Sequence, residues 1–530
     1  MTAAATSRPV LLRRIVLDLT LLLSAACGLI VEIVAGRLIA PYVGMSLYTW
    51  TAIIAVVLAG LSAGHWIGGQ LATAKASEAT TVRRLSLALV FASVSSLASL
   101  GLLRIISGPL LSSGIGDVPA VMLLCAALFL LPSLFVGIVA PIVTRLAVEQ
   151  RADDPGPVIG RMYALGTLGS IAGTLSAGYL FISWIGSAGT IVAVSATYAG
   201  LAVLCALYGR QRTIALVIGI AIVLLGSTAT WTGRQGAFAS ACLQESDYFC
   251  IRVDDFSAVS GRPSALIVLD HLAHSINDRD DPSILFSAYV HFVDEYTRRR
   301  HLERRSRPTF SAFFIGGGGY TLPRAWAESV PNARLVVAEI DPAVTRMARD
   351  HLWFDAAHPA IAIHHRDARL LLQSLPAEPT FDVVFGDAFH DISIPSHLVT
   401  REFHDEIARR LTPNGFYVAN VVDSGVRPRF LSALIHTLQQ DYRSVEVWAE
   451  AEAVVAAVER TGERTTYIVV AGRSPGPYTR LDSRNGLQRQ WLRLPLKAVQ
   501  DLAGTDVPIL TDDFAPVDRL MASNPIASRK

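Results

Sequence analysis

The stretch FFIGGGGYTLPRAWAESVPNARLVVAEIDP, residues 313–342, decides the fold of the second half of this chain. An apolar, β-prone run ends in four consecutive glycines, a helical stretch follows, and a second β-prone run closes on Glu339. Glycines at such a turn permit a tight bend and close backbone approach to a ligand. A strand, a glycine turn, a helix and a second strand ending in acid is how a nucleotide-binding sheet begins, with the acid taking ribose hydroxyls.

From residue 307 onward the pattern continues. The sequence predicts strands at 310–315, 334–339, 361–365, 383–385 and 415–421, with helices at 322–329, 343–351 and 402–411. Such alternation favours a doubly wound, mostly parallel sheet, whose ligands bind at the carboxyl ends of the strands. Gly316, Gly317, Gly318 and Glu339 then form a candidate nucleoside half, with Asp341 just beyond. RDA at 366–368 puts Asp367 and Ala368 at the end of the third strand, where Asp367 would hold an adenine amino group. The bland alternative is a glycine turn that only packs a helix on the sheet. Asp387 ends the fourth strand in FDVVFGDAFHD, and His390 and Asp391 follow. A carboxylate there can accept a proton from an amine nucleophile or hold its charge; the alternative is a cap or loop brace.

The first half has a different solvent preference. Of 530 residues, 52% are hydrophobic and 17% charged, but the apolar residues concentrate before about residue 232, so two or more domains are expected. About seven runs are long enough to cross a bilayer: 15–40, 49–71, 85–103, 120–143, 162–185, 190–207 and 214–231. A cleaved signal peptide does not fit a first run that is long and followed by others. Arg8, Arg13 and Arg14 precede the first run; Lys75, Arg83 and Arg84, then Arg145, Arg151 and Arg161, then Arg210 and Arg212 fill alternate loops. The intervening loops at 41–48 and 186–189 carry almost no charge. This bias places the N-terminus in the cytoplasm of an inner-membrane protein, and seven crossings would leave the second half outside, in a periplasm or its equivalent.

Cys27, Cys125 and Cys205 fall in apolar runs, where they read as small apolar residues. Cys242 and Cys250, in CLQESDYFC, are either a disulfide of an oxidising compartment or two unrelated thiols. Gly60, Gly64 and Gly68, and later Gly166, Gly169 and Gly173, let helices pack closely. Asp18, Glu32, Arg37 and His65 are costly in lipid and default to a functional reading, although Glu32 and Arg37 would also serve as a pair. Three parts are expected: a multi-pass segment 1–234, a small β-rich part 235–306, and a nucleoside-binding domain 307–530.

GGGGYTLPR, VVAEIDP, RDAR and FDVVFGDAF, in this order and spacing, resemble the polyamine aminopropyltransferases, the spermidine synthase family, and in particular its membrane-fused branch. ESDYFCIRV and LIVLDHLAHS resemble the small N-terminal β-sheet of that family, and RLTPNGFYVANVVD and LTDDFAPVD extend the likeness to roughly residues 240–520. The resemblance implies an α-helical multi-span bundle followed by a Rossmann-like, methyltransferase-type α/β domain. It implies transfer of an aminopropyl group from decarboxylated S-adenosylmethionine to an amine or polyamine, releasing methylthioadenosine, with no permanently bound cofactor. By the same resemblance Glu339 would bind ribose, Asp367 adenine, and Asp387 would be the catalytic carboxylate. Tyr248, Asp270, His274 and Tyr289, with His390 and Asp391, would line the amine side. Three positions depart from the family pattern: Gly319 stands for an aspartate, His390 for a second acid, and His274 for a glutamine. The nucleoside half looks retained; the diamine half does not.

Two other classes compete. A non-catalytic nucleoside- or polyamine-binding sensor would keep the cleft, and a transport-associated module would use Glu32 and His65; a methyltransferase using S-adenosylmethionine is a close variant of the first reading. Adenosyl sulfonium donors are made in the cytoplasm, so an exported domain would need a supply. A net charge of +2 gives no indication of nucleic acid, and the arginine-rich run 298–307 reads as a solvated helix end. No Cys/His spacing suggests a metal. The bilayer is an expected partner, a homodimer is left open, and the TDD at 511–513 either closes the cleft or ends a turn.

Overall fold

The computed structural model describes residues 8–211, 240–303, 309–388, 394–424, 428–453 and 464–521, apart from positions 74, 116, 151–152, 485 and 503–506, together with Leu216, Gly219 and Gly226. It divides into two compact units, residues 1–250 and 251–530.

The first unit is a helical bundle: α1 (Arg8–Val43), α2 (Leu47–Leu71), α3 (Glu78–Leu111), α4 (Asp117–Glu149), α5 (Pro155–Ser176) and α6 (Ile182–Tyr208). Ser46 and Ser77 cap α2 and α3 by accepting from the Thr49 and Thr80 amides, which replaces bonds that a helix start cannot make internally. A single π-helical turn, Ala177–Phe181, joins α5 to α6. Among the described residues five helices are long and apolar enough to cross a membrane, and the last of them, Pro155–Tyr208, has 54 residues, more than twice the roughly 20 a bilayer needs. Gly186 resolves the excess. At φ 70° and ψ 172° it leaves the helical region, within the loop expected at 186–189, so the first six apolar runs are all helical and the fifth and sixth are separate. The seventh, 214–231, lies outside the described residues except for Leu216, Gly219 and Gly226.

The spaced glycines face neighbouring backbones. A Cβ on Gly64 would overlap the Leu134 carbonyl of α4, and on Gly68 it would stand 2.7 Å from the Ile138 carbonyl. Gly169 and Gly173 press the carbonyls of Leu22 and Ala26 on α1 in the same way. Gly166 has open space around it and takes no part.

The two ends of this bundle differ. At one, Arg13 pairs with Glu78 at 3.2 Å and lies over the Tyr208 ring, while Arg161 pairs with Asp18 at 3.0 Å. At the other, Arg37 donates to the carbonyls of Tyr248 and Ser246 rather than pairing with Glu32. There Glu245, in the two-residue strand β1 (Gln244–Glu245), accepts from the Ser187 amide at 2.9 Å and its hydroxyl at 2.6 Å. Cys242 and Cys250 are joined in a disulfide, which resolves the two readings of CLQESDYFC, and it closes the loop that Arg37 and Ser187 hold. His65 is exposed on the outer side of α2.

The second unit opens with an antiparallel run, β2 (Cys250–Asp255), β3 (Ser264–Leu269) and β4 (Leu272–Asp278), then α7 (Ala288–Thr297). The main sheet follows: β5 (Phe310–Ile315), α8 (Thr321–Ser329), β6 (Ala333–Ala338), α9 (Pro342–His351), β7 (Ile361–His364), α10 (Ala368–Ser374), β8 (Phe381–Gly386), α11 (Arg401–Arg410), β9 (Leu411–Ser424) and α12 (Arg429–Leu438). The later strands are β10 (Ser444–Glu450), β11 (Arg464–Gly472), β12 (Arg480–Asp482) and β13 (Gln490–Arg493). Its order is β12-β13-β10-β11-β9-β8-β5-β6-β7. Strands β5 to β9 are parallel and the rest antiparallel.

This explains why β5 reads as an unbroken apolar run. Phe313 and Ile315 enter the core on one face of the sheet, and Phe310, Ala312 and Phe314 the core on the other, as expected of a parallel strand covered on both sides. The antiparallel extension was not anticipated from the sequence. Strand order reverses between β5 and β8, and in an open α/β sheet that switch point is where a ligand crevice forms.

Candidate active site

The crevice is built where β5 and β8 end side by side. The Asp387 amide donates to the Ile315 carbonyl at 3.0 Å, fixing the two strand ends together. Gly316 then turns at φ 96°, and a Cβ there would lie 2.9 Å from the Asp387 carbonyl; both the angle and the space call for glycine. The amides of Gly317 and Gly318 point at one oxygen of Glu339, at 2.8 and 3.3 Å, and the Asp341 amide donates to the other at 2.9 Å. Glu339 is 6% exposed. Burial raises its pKa, and the three amides oppose that rise.

Gly319 is where the family pattern carries an aspartate. Its amide donates to the Ser275 hydroxyl at 3.0 Å and its carbonyl accepts from Asn277 at 2.8 Å, while a Cβ would come within 2.6 Å of the Ser275 Cβ. Strand β4 has thus filled the room a side chain would need. Asp341 caps α9 through the Ala343 amide at 2.8 Å. Asp367 lies beyond the strand, which ends at His364, and caps α10: one oxygen accepts from the Leu370 amide at 3.0 Å and the other meets His397 Nε2 at 2.7 Å. Burial pushes the Asp367 pKa up, but the Leu370 amide and the His397 ring outweigh it and hold the carboxyl below its usual range. Ala368, the first residue of α10, is buried.

Asp387 sits at the focus. The Tyr289 hydroxyl donates to one oxygen at 3.0 Å and Asn420 Nδ2 to the other at 2.9 Å. The Asn420 contact is set by register: Gly386 pairs with Ala419, so the next residue of each strand stands beside the other. Burial pushes the Asp387 carboxyl up to about 7, against the pull of Asn420 and Tyr289. Such a group is half ionised near neutrality, where a general base is most effective. A small apolar cavity opens alongside, lined by Ile315, Ile394, Leu398, Tyr417, Asn420 and Leu434 among others.

On the other flank, Tyr289 also lies 3.4 Å from the His274 carbonyl. Burial, with His271 adding to it, pushes the His274 ring down to about 4, so it is neutral at physiological pH. Asp270 is buried in the tight turn between β3 and β4 at φ 54°. The structure therefore brings Gly316, Gly317, Gly318, Glu339, Asp387, Tyr289 and the His274 backbone together. Tyr248 belongs to the first unit, where its carbonyl accepts from Arg37, and His390 and Asp391 lie outside the described residues. Sequence reasoning missed Asn420, Ser275 and His397. Asn420 left a signal, a lone amide inside the apolar run FYVANVV; the other two left none.

No family model matches this chain. A polyamine aminopropyltransferase of Vibrio vulnificus is 36% identical over 107 residues, which are 20% of this chain and 36% of that protein, so the match spans about a third of its length. Polyamine aminopropyltransferase 1 of Streptomyces coelicolor is 24% identical over 429 residues, 76% of this chain and 75% of the relative. Polyamine aminopropyltransferase 2 of the same organism is 23% identical over 485 residues, 86% and 78%. Among solved structures, a probable spermidine synthase from Corynebacterium glutamicum covers 50% of this chain and 94% of its own at 20% identity, with a TM-score of 0.43. Over most of its length the chain is thus similar to proteins named polyamine aminopropyltransferase.

Proposed function

We propose that this chain transfers an aminopropyl group from decarboxylated S-adenosylmethionine to an amine. The observation that carries the reading is Asp387: a half-buried carboxylate at the sheet's switch point, bonded by Tyr289 and Asn420 and poised near pH 7. The amine nitrogen attacks the carbon beside the sulfonium, the carbon–sulfur bond breaks, and its electron pair stays on sulfur as neutral methylthioadenosine. The nitrogen gives up one proton, for which ionised Asp387 is the acceptor. The leaving group is already excellent, so alignment and proton removal are the protein's contribution. Glu339 would serve the ribose through acceptor capacity left beside the Gly317 and Gly318 amides, and the cavity at Leu398 would take the base. Tyr289 and His274 would flank the amine.

The full chain in detergent, given this donor and a panel of amines, is expected to release methylthioadenosine only when an amine is present. Release of S-adenosylhomocysteine from S-adenosylmethionine would favour the methyltransferase variant. Nucleoside binding with no product from either donor would favour a sensor.

The reading also assigns residues 1–234 to the membrane, 235–306 to a β-rich lead-in and 307–530 to the nucleoside domain. It places the N-terminus in the cytoplasm and the second unit outside. Several features support this orientation. The end of the bundle holding Arg13, Arg161 and Tyr208 is the basic one. The chain leaves α6 at that end and stands at the opposite end by Ser240 and Cys242, and a disulfide fits an oxidising compartment. In intact cells, a membrane-impermeant maleimide is expected to label Cys242 and Cys250 after mild reduction and not before; labelling only after lysis would reverse the orientation. An outward unit would need its donor carried across the membrane.

A further inference from the structure

The sequence left the TDD of LTDDFAPVD either closing the cleft or ending a turn, and in the structure the segment is tied to α10 and the turn at 396–398. Leu510 is fully buried, its carbonyl accepting from the Arg401 amide at 2.8 Å and its amide donating to Thr437 at 2.9 Å. Thr511 and Phe514 close a turn, and the Asp512 amide donates to Glu402 at 3.0 Å. This leaves the Asp512 carboxylate aimed at Arg369, which it meets with both oxygens at 2.7 and 2.6 Å.

Arg369 is in the first turn of α10, two residues past Asp367. Its Nη1 also donates to the His397 carbonyl at 3.2 Å and lies 3.5 Å from the Thr400 hydroxyl. The short turn Ser396–Leu398 is thus gripped twice, by its backbone from Arg369 and by the His397 ring from Asp367. Ile394, Leu398 and Val399, which bracket that turn, form one wall of the apolar cavity. A two-pronged Arg–carboxylate pair fixes direction as well as distance, which a lone surface ion pair does not.

We propose that Arg369 and Asp512 are positioning residues of the nucleoside pocket: the 510–514 segment straps α10 to the 396–399 turn and so sets the wall against which the base lies. This rests on reading the cavity as the nucleoside's. The strap reaches Asp367 and the Leu398 wall; no bond joins it to Tyr289, His274 or Asn420, so its loss is felt by the donor and not by the amine.

The test uses the full chain in detergent, as Asp512→Asn, Arg369→Met and the exchanged double variant Arg369→Asp/Asp512→Arg. Each single change is expected to raise the donor KM and the methylthioadenosine Kd by about tenfold, with kcat and amine KM unchanged, and the exchange is expected to recover most of that loss. Asp512 is partly exposed, so its asparagine variant tests the idea even if a change at Arg369 prevents folding. Donor and amine KM rising together, neither rising, or an exchanged pair worse than either single variant would each overturn the strap while leaving the transferase reading intact. A wild-type chain that binds no nucleoside would overturn both.

Discussion

Asp387→Asn is expected to lower the rate of methylthioadenosine release by roughly 100- to 10,000-fold while leaving donor affinity nearly unchanged, the loss typical of removing a positioned general base. The two side chains are the same size, so the Tyr289 and Asn420 surroundings are preserved and the deficit falls on proton removal. The pH profile carries the sharper signature. With the carboxyl pushed up to about 7, wild-type kcat/KM should climb as pH rises through that value and level off above it; the asparagine variant should lose the inflection. A variant that keeps both the rate and the inflection would remove Asp387 from the chemistry.

The same substitution has a second consequence of opposite sign. The folded-state pKa of Asp387 is raised, so between its ordinary value of 3.8 and about 7 the folded chain holds a proton that the unfolded chain has released. Stability from this group is complete below the lower value and is lost as pH rises through the upper one. At 1.36 kcal/mol per unit the loss amounts to about 4 kcal/mol by pH 8. Asp387→Asn should therefore unfold at higher temperature than wild type at pH 8, with the difference vanishing near pH 4. Equal midpoints at both pH values would mean that the carboxylate is better solvated than its raised pKa indicates.

Gly64→Val is expected to abolish the folded helical bundle, with little or no monodisperse protein recovered. The Cβ alone would run into the Leu134 carbonyl, and a backbone on each side leaves nothing flexible to yield, so the cost should reach about 3 kcal/mol or more. The control is Gly166→Val, one of the similarly spaced glycines but with open space where its Cβ would go. Comparable yields of the two variants would show that glycine spacing, not contact at Gly64, governs assembly.

The glycine pattern illustrates what the sequence could and could not disclose. Spacing of three or four residues was visible for both sets, but which members face a neighbour is decided by helix rotation, which spacing alone does not fix. The first six apolar runs were legible as helices because length and apolarity are properties of each segment separately. The parallel half of the sheet was legible because glycine turns and apolar runs recur at short range. Strands β10 to β13 carry no comparable local mark, since their pairing is settled by distant partners. At the site, position in the chain indicated where the acids stand but not all that each does: Asp341 and Asp367 also close the first turns of α9 and α10. Gly319 looked like a missing charge; in space it is a position already taken by Ser275.

Strand β9 runs past the end of its parallel neighbour. Gly386 is matched by Ala419, and from Asn420 to Ser424 the strand is paired only with β11. The amide that steadies Asp387 is thus mounted on an overhang held from the antiparallel side. Any shortened version of this domain that stopped after the last parallel strand would keep the glycine turn, Glu339, Asp367 and Asp387. It would also leave the overhang without its outer support, so the motifs would outlast the machine they advertise.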